Sequence, residues 1–133
     1  MALHIRRIEP RGSNGFGEWV SIANDGPNPA SLTEHEITDY TNLQKNAHIY
    51  RFPETTNGGP LLLQPGQVVF VFTEAGRNTW VTTARGKQEL HLFMGRSQPI
   101  WNNTGDVVYL RTLDGRIVDT MTVGDPARHP SEY

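Results

Sequence analysis

Apolar residues in this chain come in short runs separated by Gly, Pro and Asn clusters, and no run keeps helical periodicity beyond about ten residues. That pattern reads as all-β. Leu3, Ile5 and Ile8 nearly alternate in a first strand. In a second, from Glu18 to Asn24, Val20 and Ile22 share one face while Trp19 and Ser21 take the other. Further strands are expected at 36–40, 48–52, 68–72, 90–94, 107–111 and 116–123, of which 68–72 is almost continuously apolar, as a central strand would be. Turn chemistry separates them: the Gly-rich stretch 12–17, DGPNP at 25–29, Pro65-Gly66, and Asp114-Gly115, which is expected to form a tight Asp-Gly hairpin. Strands at this spacing, about eight or nine in all, predict a β-sandwich.

With 133 residues and no internal repeat, the chain is expected to form one domain over 1–123, followed by a frayed or docked tail over 124–133 that carries two prolines. It has no cysteine, which excludes a disulfide framework, a zinc ribbon and a thiol nucleophile together. A net charge of −2 lacks the basic excess of avid nucleic-acid binders. Neither a signal-peptide core nor an apolar span of bilayer length is present, so the expectation is a soluble, cytoplasmic chain, with export hidden only if a leader has been trimmed.

Three blocks recur in a recognisable order. Glu18, Trp19, Val20, Ile22 and Asn24 form an acidic-aromatic-Val-x-Ile-x-Asn strand, followed by Leu32, Ile37 and Asp39. Tyr50, Phe52 and Pro53 then precede Pro65, Gly66, Gln67 and Val68. Trp101, Asn102, Gly105, Asp106, Val108, Leu110, Asp114, Gly115, Val118 and Asp119 close the series. In this combination the chain resembles the lamin tail domain over nearly its whole length. The resemblance implies an immunoglobulin-like β-sandwich and a docking module that engages protein partners or chromatin. One departure is His35, where the family commonly carries a tryptophan, so packing at that sheet margin is expected to differ.

Nothing in the sequence has the spacing of a catalytic site. The five histidines (His4, His35, His48, His91, His129) are scattered, and His35-Glu36 lacks the second His of a metalloprotease helix. Ser21, Ser31 and Ser97 sit in no nucleophile elbow. The Gly-rich stretch precedes a strand and not a helix, so it is no phosphate cradle. The acidic residues lie mostly at turns, where they bond their own backbone. No catalytic residue, metal or cofactor is therefore expected.

The segment from Thr73 to Gly95 stands apart, because Arg77, Arg85 and Lys87 surround Trp80 and the whole reads as a long polar loop. An aromatic among cations can anchor an interface or stack a base. Two functions follow as expectations: a non-catalytic module binding a protein partner, or a nucleic-acid contact domain using Arg77, Trp80, Arg85 and Lys87. Trp80 is expected to add little to stability, and Trp101 to belong to the core.

Overall fold

The computed structural model describes residues 3–10, 17–39, 48–56, 59–97, 100–101 and 106–128. Of the residues singled out above, those at 12–16 and 129–133 with Tyr40, Asn102 and Gly105 lie outside the described ones. No helix is long and apolar enough to cross a membrane among the described residues.

All regular structure there is β. The strands are β1 (Leu3–Glu9), β2 (Trp19–Asn24), β3 (Ala30–Ser31), β4 (His35–Thr38), β5 (Ile49–Arg51), β6 (Thr55–Thr56), β7 (Gly59–Pro60), β8 (Leu62–Leu63), β9 (Val68–Phe72), β10 (Thr79–Thr82), β11 (Gln88–Phe93), β12 (Val107–Thr112) and β13 (Ile117–Thr122). Nine of them build two sheets, ordered β1-β2-β9-β11-β10 and β13-β12-β4-β5, while β3-β8 and β6-β7 form two-residue ribbons. Alternation fills the space between the sheets with Val20, Ile22, Val69, Val71, Leu90 and Leu92 from one and Ile37, Val108 and Leu110 from the other, all fully buried. The architecture is the expected immunoglobulin-like sandwich.

The polar residues of the first block of the family pattern satisfy buried polar groups. Glu18 has no exposed surface, and its carboxylate accepts the Thr73 hydroxyl at 2.7 Å and the N–H groups of Ile100 and Trp101 at 2.6 and 3.0 Å. That fastens the chain after β11 onto the core and seats Trp101, which is fully buried. Asn24 donates to the carbonyls of Asn28 and Leu63, both at 2.8 Å, and accepts the Gly26 N–H, holding the 25–29 turn against β8. Each would leave several backbone groups unpaired if truncated.

Two expectations about local structure are corrected. The Asp114-Gly115 hairpin is not a two-residue turn: Thr112 pairs with Arg116 through a 2.9 Å bond, Gly115 N–H donates to Thr112 O, and Gly115 alone takes positive φ at +95°. This is a three-residue loop, a type I turn followed by a left-handed glycine. Secondly, Thr73 to Gly95 is not a long loop. It holds β10 and all of β11, joined by the same kind of hairpin, with Thr83 pairing Lys87, Gly86 N–H donating to Thr83 O, and Gly86 at φ +80°.

Inserting β10 has a topological consequence. The chain leaves β9, passes to the sheet edge as β10, and returns as β11 between them, so β11 lies parallel to β9 while the other neighbours in the two main sheets run antiparallel.

Candidate functional site

Strand alternation that sends valines and leucines inward sends aromatics outward on the five-stranded sheet. Trp19 on β2, Phe70 and Phe72 on β9, and His91 and Phe93 on β11 form one row on the face away from the core, each half-buried. Trp19 meets Phe70 edge to face at 4.9 Å, Phe72 stacks on Phe93 at 4.9 Å with 16° between planes, and His91 lies edge to face with Phe70 and Phe72 at 5.6 and 5.2 Å. The parallel pairing puts His91 opposite Phe70 and Phe93 opposite Phe72.

Ring orientation decides what such a row can bind. The Arg7 guanidinium lies 5.5 Å over the Trp19 ring, Phe72 and Phe93 cover one another, and a Cβ on Gly76 would come within 2.4 Å of Phe93. A side chain at position 76 would collide with the ring, which is why glycine is needed there. Ring faces are thus taken up by neighbours within the chain. A flat stacking platform needs bare faces, whereas an edge-on ridge interdigitates with apolar side chains and offers its electropositive rim to carbonyl oxygens. Beside the row, Arg7 pairs with Glu9 at 2.6 Å, and His91 Nε2 lies within hydrogen-bond distance of Glu89 Oε1 at 2.7 Å.

The residues that the sequence grouped around Trp80 are separated. Trp80 pairs with Leu90 on β10 and turns inward, half-buried against the core. Its indole is a packing group and not an exposed anchor. Arg77 lies before β10 and Arg85 and Lys87 in the hairpin after it, so the strand, about 13 Å long, stands between them. All three cations are exposed and make no ion pair among the described residues. The signal for β10 was present in its Thr-Trp-Val-Thr composition, rich in β-branched and aromatic residues.

The two margins of this sheet differ. At β1 the Ile5 N–H donates to Asp119 Oδ2 at 2.7 Å. The Arg128 guanidinium bonds Asp119 Oδ2 at 2.6 Å, Ile5 O at 3.0 Å and Thr120 O at 2.9 Å, while Arg128 N–H donates to Arg6 O at 2.8 Å. Asp119 and Arg128 thereby close β1 onto β13. At the other margin, β10 pairs only with β11 among the described residues.

His35 lies half-buried with Nδ1 3.2 Å from Thr33 O, beside an open groove of about 840 Å³ lined also by Leu3, Ala30, Leu113 and Arg116. Glu34, next to it, has φ +69° at the third position of the turn closed by His35 N–H and Leu32 O. That conformation suits a type II turn and strains a non-glycine residue. The other described histidines each sit with one carboxylate, His4 with Asp25 and His48 with Asp39 besides His91 with Glu89. No three potential ligands converge on a metal position among the described residues. Asp114 in the hairpin is held below the usual carboxylate range by the Thr112 hydroxyl and then the Arg116 N–H, a turn contact with no catalytic geometry.

The family model described as Lamin Tail Domain matches residues 2–125. No curated protein matches the chain.

Proposed function

The chain belongs to the lamin tail domain family, and on that premise we propose that it is a non-catalytic docking module that binds a protein partner through the outer face of its five-stranded sheet. The observation that carries this reading is the half-buried, edge-on row of Trp19, Phe70, Phe72, His91 and Phe93. Aromatic groups supply large contact area at small entropic cost and are the usual anchors of interfaces. With Arg7, the cation beside it, paired to Glu9, the row suits apolar side chains better than phosphates.

The nucleic-acid reading through Arg77, Trp80, Arg85 and Lys87 draws less support. Stacking a base there needs the indole that packs inward, and the net charge is −2. The test is capture of partners from the native host by the wild-type chain and by Phe72→Thr, with affinity then measured on the purified partner. A loss of tenfold or more in the variant, about 1.4 kcal/mol, is expected, with binding unchanged by nuclease treatment. A steep fall in affinity with salt, abolished by nuclease treatment, would contradict the proposal.

A further inference from the structure

We infer that the open edge of β10 receives an extended, acidic polypeptide segment of the partner, added antiparallel as a sixth strand and gripped at its ends by Arg77 and by Arg85 with Lys87. This specifies the form of the partner and rests on reading the chain as a protein-docking module.

Three observations carry it. First, the sheet guards one margin and, among the described residues, leaves the other unpaired. An exposed edge is a template for a foreign strand, and proteins blunt such edges with charge, bulges or cover. Strand β1 has a register shift between Ile5 and Arg7, and its Ile5 N–H, Ile5 O and Arg6 O are taken by Asp119 and Arg128. Strand β10 has a regular register against β11 and no proline or charged residue from Thr79 to Thr82. Secondly, β10 is fixed before any partner arrives, because Trp80 turns into the core and Asn78 Oδ1 accepts the Phe93 N–H at 2.9 Å. A preorganised edge spares the ordering cost that weakens strand addition.

The third is charge. In a chain of net charge −2, residues 77–88 hold three cations and no acidic residue, and those cations sit at both ends of the open strand with no ion pair among the described residues. They keep the edge from pairing with a second copy of itself and leave it complementary to a strand with acidic flanks. On the outward side, Thr79 pairs with His91, so an added strand would continue the aromatic face.

Peptide-display selection against the full chain tests the inference. Sequences with a β-branched centre and acidic flanks are expected. A synthetic peptide of the selected sequence should slow hydrogen exchange at the β10 amides that do not bond β11. It should bind R77E/R85E/K87E on the order of thirtyfold more weakly, while the melting temperature of that variant stays at the wild-type value. Binding without slowing at β10, undiminished binding to the triple variant, displacement by a single-stranded DNA oligonucleotide, or no enrichment over the triple variant would each overturn it. Phe72→Thr separates the two proposals: peptides that need Phe72 but not the cations sink the β10 inference and leave docking through the sheet face standing.

Discussion

The two margins of the five-stranded sheet are built from the same backbone and meet opposite fates. At β1, Asp119 and Arg128 take up the N–H and C=O of Ile5 and the C=O of Arg6 and tie the strand to β13. At β10, no further strand pairs the outward side among the described residues, and three cations with no ion pair among those residues stand at the strand ends. An edge closed by charged side chains contributes to the fold and is unavailable to partners, whereas an edge left open contributes little and is available. Stability and function are therefore expected to separate across about five strands of one sheet, and substitutions at either side can break that separation.

The scale is set by Trp101, which sits away from both margins on the Glu18 anchor. Trp101→Ala is expected to cost about 3–5 kcal/mol in denaturant unfolding, because the cavity adds to lost transfer energy. At the closed margin, Asp119→Ala strips partners from the Ile5 N–H and the Arg128 guanidinium and should cost about 2–3 kcal/mol. A cost below about 0.5 kcal/mol would mean that the seam between β1 and β13 does not hold the edge.

The outer margin of the second sheet gives a pH signature. Burial pushes the Tyr50 phenol up to about 12 from 10.0. Since the folded state holds that proton more tightly, the contribution is fully present below about pH 10 and is lost as pH rises through about 12. The loss is about 2–3 kcal/mol. Tyr50→Phe should remove this alkaline limb from a chemical-denaturation series run across pH. At the open margin Trp80→Ala should cost the least of the four, about 1–2 kcal/mol, since the indole is only half-buried. It should also loosen β10 selectively, visible as faster amide exchange there than in β2. A cost equal to that of Trp101→Ala would make the open margin part of the core.

Most of the fold was legible from residues alone. Eight of the nine strands in the two main sheets were expected, and the inward and outward sets of β2 followed from alternation, which needs only the period of a strand. Strand β10 was missed because its four residues lie among polar and basic neighbours, so that local hydrophobicity fell below the turn signals. A Thr-x-x-Gly-basic pattern occurs at 83–87 and at 112–116, and each forms the same hairpin, with the threonine hydroxyl accepting the N–H of the basic residue at 3.2 and 3.1 Å. That repeat was the signal that could have exposed β10.

The candidate site was less legible, for a physical reason. Phe70, Phe72, His91 and Phe93 were visible as residues, but their meeting depends on the parallel register of β9 and β11, which no local pattern encodes. Likewise, Arg128 lies in a proline-containing stretch without apolar surface, and its bonds to Ile5 and Asp119 span 123 and 9 residues. Long-range polar contacts of this kind leave no periodicity to read. His35, where the family commonly has a tryptophan, lies beside an open groove.

The contrast between the margins can be measured in the free protein by native-state amide hydrogen exchange. The Ile5 amide should exchange only through global unfolding, while the β10 amides that do not bond β11 should exchange orders of magnitude faster. Asp119→Ala should bring Ile5 down toward the β10 rates without altering β10 itself. Equal protection of Ile5 and the outward β10 amides in the wild-type chain would contradict the account, because the edge proposed to receive a partner would already be closed.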